Sequence, residues 1–574
     1  MTKPVFINAT EQELSALLAQ AKPTFSAEQY KLLEGVLSNF SYLMRAVQNA
    51  KTSIRRLRQM LFGARTESSA NLFVGLLDSA ATGSTAAALA PSPEPPNAAP
   101  TTAATTGTDA VPAPPKGHGR NGAQAYSNAP VVEVNVPNLA SGDPCPECST
   151  GKVYESPPRV IVKVIGQSPL VATIFHLKRL RCRLCDAIFT GPMPAATPGP
   201  CGLPSQDQPQ SEDDNQKYDA SCASMLALLR YGTGMPSYRL QGLQQSLNVP
   251  LSDATQWDIV LREVVAPREV FNALIVHAAQ GELLHNDDTP ARILSLMAQR
   301  AKDEAAGIKP VARAINTTGI LALVQERKVA LFFTGHAHAG VNLTKVLAKR
   351  AKELEPPLQM CDALAANVPR EFATILCNCL SHGRRQFVSL IEHFPVACQF
   401  VIQILAKVYG FDAHCRDTGM SLAQRLVFHQ THSAPLMEEL HTWMNAQFEQ
   451  RLVEPNSALG KALGYMIRHW AALTQFLRQE GAPLDNNAVE RALKWAIRHR
   501  KNSLFYKTIN GAKVGDIYMS LIYTCELSQV NPFEYLQALM RHAQEVLVEP
   551  TLWLPWNYRD RLSPDIKARH AGAP

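Results

Sequence analysis

Residues 319–369 read "GILALVQERKVALFFTGHAHAGVNLTKVLAKRAKELEPPLQMCDALAANVP", and no other stretch restricts the fold as much. An apolar run is followed by a second one, "KVALFFTG", both of strand length. A helix is predicted from about Ala339, and "PLQMC" then forms a further strand that delivers Asp362. Strands joined by a crossover helix to another strand predict an α/β sheet. Upstream, "GELLHNDDTPARIL" sets Asp287 and Asp288 at the end of another apolar run. Downstream, about a hundred mostly helical residues precede "PLDNNAVERALKWAIRHRKNSLF", where Glu490 heads a strongly basic helix.

An acid ending a first strand, an acid after a later strand and a glutamate on a following helix suit two-metal phosphoryl transfer. Paired Mg²⁺ ions about 3.5–4 Å apart need carboxylates from separate elements. Each acid also has a plainer reading. Asp288-Thr289-Pro290 could cap a helix starting at Pro290. Asp362 could be a turn residue, and Asn487 with Glu490 fits a capping box. On an ideal helix Glu490, Lys494, Arg498 and Lys501 share one face, while Val489, Leu493 and Ala496 form the adjacent apolar stripe. Cations trailing from an acid at a metal suit a departing nucleic-acid strand.

The rest of the chain divides by composition. Residues 1–78 are predicted to be helical, with heptad seams over 31–62: Leu33, Phe40, Val47, Ile54 and Leu61, then Val36, Leu43, Ala50 and Leu57. That spacing predicts a coiled coil, hence a homodimer or higher assembly. Residues 79–130, rich in Ala, Pro and Thr, cannot repay their ordering entropy and read as a linker. Within 131–195 lie "CPEC" and "CRLC". Cys145, Cys148, Cys182 and Cys185 would close a tetrahedral structural Zn²⁺ site between short strands, a zinc ribbon. A second Pro-rich linker spans 196–216. Residues 217–280 read as short helices that permit a helix-turn-helix, although few cations lie on the candidate reading helix.

A net charge of +7 permits an anionic partner where cations cluster. The start of the chain lacks a signal-peptide pattern, and the most apolar long stretch, "FPVACQFVIQILAKVYGF", is broken by glutamines and Lys407. Twelve cysteines without a small-domain disulfide pattern suit a reducing compartment. These features predict a cytoplasmic, nucleoid-associated protein with no membrane partner.

The stretches "NDDTPARIL", "MCDALAANVP", "CNCLSHGRRQF" and "LDNNAVERALKWAIRHRKNSLF" resemble transposases of the insertion-sequence sixty-six family. The order of parts is similar too: heptads, "FGARTE", a four-cysteine module and "GMPSYR". The likeness runs over residues 30–540. It implies a DDE-type enzyme that cleaves element ends and joins the 3′-OH to target DNA. It also implies Mg²⁺ (or Mn²⁺) on Asp287, Asp362 and Glu490, DNA as partner, and small accessory proteins of the same element. The implied fold is multidomain α/β. A ribonuclease-H-like core over 281–545 would carry a helical insertion at about 364–480, with a C-terminal tail at 546–574. His382, Arg384 and Arg385 would touch DNA phosphate near the site, as would Arg491, Lys494, Arg498, Arg500 and Lys501. The sequence departs from the family pattern at Asp288 in "DETP", at "PSYR", and around Asp362, where the commoner "TDGY" is absent. Two rivals share many of these features: a non-catalytic zinc and coiled-coil DNA-binding protein, and a stand-alone metal-dependent nuclease.

Overall fold

The computed structural model describes residues 217–308 and 314–562. It also describes the segments 140–144, 146–147, 150–154, 168–183 and 188–191, with Phe25, Gln29, Tyr30 and Leu33. Both expected linkers lie outside the described residues, as does the expected coiled coil apart from Leu33.

In the cysteine-bearing region, β1 (Arg179–Arg181) pairs antiparallel with β2 (Ile188–Thr190), with Leu180 opposite Phe189. Cys182 follows β1 directly; Cys145, Cys148 and Cys185 lie outside the described residues. An isolated antiparallel bridge, Pro144 to Lys152, brackets the first cysteine pair.

Four helices follow: α1 (Ala220–Ala227), continued by a π-turn at Leu228–Gly232, then α2 (Ser237–Ser246), α3 (Asp253–Arg262) and α4 (Val265–Ala278). Ser252 caps α3 through the backbone N–H of Thr255, as its sequence position predicts. These helices are built into the same apolar core as the sheet. Tyr231 stacks on Tyr518 with ring centroids 5.5 Å apart, Phe271 meets Phe333, and Tyr518 donates its hydroxyl to the Val260 carbonyl.

The sheet has five strands in the order β5-β4-β3-β6-β7. Its centre, β3 (Leu283–Pro290), runs antiparallel to β4 (Asn316–Val324), which turns through Gln325 at φ +56° into antiparallel β5 (Arg327–Gly335). On its other side β3 runs parallel to β6 (Leu358–Cys361), and β6 parallel to β7 (Ile375–Asn378). Between these strands lie α5 (Leu294–Ala305) and the crossover helix α6 (Ala339–Leu347). β7 falls inside the stretch predicted to be a mostly helical insertion; four residues between polar turns carry no periodicity to read.

The described helical layer begins with α7 (Leu380–Leu390) and continues through α8 (Pro395–Asp417), α9 (Leu422–His432), α10 (Ala434–Glu449), α11 (Ala458–Arg468) and α12 (Trp470–Leu473). Among the described helices only α8 is long and apolar enough to cross a membrane by length and composition. Its apolar stripe, including Val401, Ile402, Leu405 and Val408, is buried instead against its helical neighbours. Asp412 of α8 is nearly sealed from solvent and pairs with Arg416, Arg425 and His429. Burial alone would raise its carboxyl, but the His429 hydrogen bond and the two guanidinium groups hold it below its ordinary value.

Helix α13 (Asn487–Ser503) lies across β3 and β4, and α14 (Ile509–Leu527) runs along β5. The outward N–H groups of β5 do not reach solvent. Ala330 donates to Thr524 Oγ1, Phe332 to Ser520 Oγ and Thr334 to Asp516 Oδ2. After α15 (Pro532–Arg541) and α16 (Ala543–Val548), the segment predicted as a tail packs into the main core through Trp553, Leu554, Tyr558 and Leu562.

Candidate active site

Strand alternation separates the two neighbouring aspartates. His285 and Asp287 lie on the face covered by α13; Asp288 points to the opposite face. There Asp288 Oδ1 accepts from Thr318 Oγ1 at 2.6 Å, while Oδ2 accepts from the Ala339 N–H at 3.0 Å and lies 3.1 Å from His338 Nδ1. Asp288 therefore caps α6, a helix fifty residues downstream, and both of its oxygens are engaged there. It does not cap a helix at Pro290, because β3 extends through that residue and α5 starts only at Leu294.

Asp287 keeps one local bond, from the Asp288 N–H to Oδ1 at 2.8 Å. Its strand pairs His285 with Met360, so Asp287 lies alongside the end of β6, just past which Asp362 follows. Burial, with the charges of Asp362, Glu490 and Asp288 added, pushes the Asp287 carboxyl up to about 7. The charges of Asp362, just past β6, and of Glu490, in the first turn of α13, thus both bear on the Asp287 carboxyl of β3. Asp362 Oδ1 accepts from the Leu364 N–H at 3.1 Å and from Asn367 Nδ2 at 2.5 Å, which fixes its turn.

The capping box expected at Asn487 does not form. Asn486 is the N-cap, and Asn487 turns its amide to Asp485 Oδ2 at 2.7 Å. Glu490, released from that task, takes two bonds from Arg385, 3.3 Å from Nη1 to Oε1 and 2.9 Å from Nη2 to Oε2. Gly319 sets the approach of α13. It lies opposite Asp287 across the β3–β4 ladder, and a Cβ there would stand 2.9 Å from Leu493 Cδ2 and 3.3 Å from Val489 Cγ2. Only a bare backbone lets the helix that carries Glu490 press this close to the strand that carries Asp287.

Three buried asparagines join the three acid-bearing segments, and sequence reading missed them. Asn486 bonds His285 Nδ1 at 2.9 Å and the Asn286 carbonyl at 3.1 Å. Asn286 donates to the Asn367 carbonyl at 2.7 Å, and Gln359 donates to Asn286 and to that same carbonyl. Their only sequence signal is adjacency: an asparagine sits within five residues of each acid, in "NDD", "DALAAN" and "DNNAVE". Burial holds His285 down to about 4, so it is neutral and serves as a hydrogen-bonding strut.

The basic residues fare unevenly as candidate DNA contacts. Arg384 is only 6 % exposed, because α7 turns it into the interior, so its predicted phosphate contact is withdrawn. Arg385 is engaged with Glu490, and His382 stands 3.8 Å from the same carboxylate. Arg498 donates to the Gly232 carbonyl and lies over the Trp495 ring, and Arg500 donates to the Pro290 carbonyl; both tie α13 to its neighbours. Arg491, Lys494 and Lys501 remain exposed.

Known proteins are similar to this chain over parts of its length. Uncharacterized protein y4jD of Sinorhizobium fredii is 31% identical over 189 residues, 32% of this chain and 36% of its own length. Uncharacterized protein y4hP of the same organism is 25% identical over 418 residues, 67% of each chain. The chain thus spans about a third of the first relative and two thirds of the second. The sequence model described as Transposase IS66 family matches residues 216–514, more than half of the chain and the whole stretch bearing the three acids. The chain therefore belongs to the IS66 family of transposases, a family of DNA-processing proteins.

Proposed function

We propose that this chain is a DDE-type transposase that cleaves insertion-sequence ends and joins the freed 3′-OH to target DNA, with Asp287, Asp362 and Glu490 as the catalytic acids. The observation that carries this reading is that the charges of Asp362 and Glu490, which belong to two other elements, both bear on the part-buried Asp287 carboxyl. The strand order β5-β4-β3-β6-β7, with two antiparallel and two parallel pairings, supports the ribonuclease-H-like core that the reading requires.

The donor set fits Mg²⁺ or Mn²⁺, since it offers carboxylate oxygens alone, and burial with the charges of the other acids drives Asp287 toward protonation when no cation is near. Divalent ions held by Asp287, Asp362 and Glu490 would supply charge neutralisation for an attacking and a leaving oxygen. The protein's own part is positional. The asparagine lattice fixes the backbone beside each acid, Arg385 orients Glu490, and Arg491, Lys494 and Lys501 offer a cationic track for the phosphate backbone. Structural zinc on Cys145, Cys148, Cys182 and Cys185 belongs to the same proposal, supported by the antiparallel pairing around each cysteine pair.

Glu490→Gln should abolish metal-dependent cleavage yet leave binding of element ends nearly intact. Parental cleavage by the variant would defeat the assignment. End binding without cleavage by the parent would favour the non-catalytic rival, and cleavage without joined products the nuclease. The N-terminal heptads would pair two protomers on two ends; gel filtration of the full chain as a monomer, with and without DNA, would count against that.

A further inference from the structure

Beside the three acids lies a second group of ligand atoms with different chemistry. Cys379 is the N-cap of α7 and His382 stands in the helix's first turn; their ligand atoms and one from Glu490 all lie within 4.8 Å of one another. The Cys379 thiol is fully buried and receives the Asn486 N–H at 3.2 Å. His382 Nδ1 is buried with no hydrogen-bond partner, although it faces Glu490 Oε1 at 3.8 Å. A buried imidazole nitrogen without a partner is costly unless something occupies the space before it.

We propose that Cys379, His382 and Glu490 form a site for a zinc-like ion, distinct from the oxygen-only site and competing with it for Glu490. Sulfur, nitrogen and a single carboxylate suit Zn²⁺ or Co²⁺ and poorly suit Mg²⁺, which demands oxygen ligands. Arg385 holds Oε2 at 2.9 Å and Oε1 only at 3.3 Å, and Oε1 is the oxygen that faces His382, so an ion held by the trio displaces only the weaker of the two Arg385 bonds. With Glu490 drawn to this ion, Asp287 and Asp362 lack their third partner, and Zn²⁺ switches the enzyme off. The inhibitory role rests on the transposase reading; the binding site does not.

The test is a Zn²⁺ titration of the full-length chain beside Cys379→Ser and His382→Gln, with circular dichroism to confirm that each variant folds. Because the four-cysteine module would bind zinc in all three proteins, the informative quantity is the difference in equivalents. The parent should bind one equivalent more than either variant. Its affinity there should fall on ligand loss by more than the roughly 10–100-fold that outer-shell changes cost. Co²⁺ should give a thiolate charge-transfer band that weakens in Cys379→Ser. Equal stoichiometry and equal spectra in parent and variants would overturn the site. Zinc should also depress Mg²⁺-supported cleavage by the parent, relative to its own zinc-free rate, far more than that of Cys379→Ser. Equal depression in both would overturn the competition. If no protein cleaves DNA with Mg²⁺, the transposase reading falls, and the binding difference still decides the site.

Discussion

Replacing Asp287 with Asn should stabilise the metal-free protein at pH 8 while abolishing cleavage. The carboxyl titrates at 3.8 ordinarily but at about 7 in the fold, where burial leads and Asp362, Glu490 and Asp288 add to the shift. Between these values the unfolded chain has released the proton and the folded chain retains it. Stability from this group is therefore full below about pH 4 and is lost as pH rises through about 7. At about 1.4 kcal/mol per pH unit the interval amounts to as much as about 4 kcal/mol, less whatever the neighbouring acids absorb by shifting in turn. Asparagine keeps the acceptor for the Asp288 N–H and carries no charge, so the variant escapes the penalty. The assay is urea unfolding of parent and variant from pH 5 to 8 in chelator. Buried Asp516, also pushed up to about 7, contributes equally to both proteins and cancels in the difference. The variant's advantage should grow with pH. Mg²⁺ at a hundred times its dissociation constant should then add about 2.7 kcal/mol to the parent and little to the variant. An advantage that stays flat with pH, or Mg²⁺ stabilising both alike, would refute the idea that Asp287 is an electrostatically strained ligand.

Two further perturbations test the scaffold. Asp412→Ala strands Arg425 and His429 in the helical layer and should cost about 3–5 kcal/mol in urea unfolding; a loss below about 1 kcal/mol would show that the cluster is a surface pairing. Gly319→Ala should cost about 1–3 kcal/mol through overpacking and lower activity by displacing Glu490. Adding Leu493→Ala should restore part of the activity, and strictly additive losses would mean that the two residues do not meet.

Long apolar runs were the legible part of this fold. β4, β5, α6 and β6 could be read from the stretch beginning at Gly319, because strand and helix periods differ and each run is long enough to show its own. β7, four residues long, gave too little pattern. Polar residues were misread where their partners are remote in sequence. Asp288 looked like a local cap yet caps α6 through space, and Asn486, which drew no reading of its own, braces β3. Cations on helices were counted as open to phosphate by default, and that failed for Arg384, whose helix buries it, and for Arg498, which is exposed but engaged with the Gly232 carbonyl. Glu490 raised the right question, since its position in the first turn suits capping, but only Arg385, more than a hundred residues upstream, shows what its carboxylate faces.

The oxygens of Asp516, Ser520 and Thr524 along β5 carry one more consequence. Every fourth residue of a helix advances about 6.0 Å. Every second residue of an antiparallel strand advances about 6.8 Å. The two rulers nearly coincide, so α14 can stand in for a sixth strand, offering one acceptor per outward amide. They drift apart by about 0.8 Å per step, which limits the imitation to a few rungs, and three are used. A foreign strand seeking to extend the sheet at this border would find each amide already taken.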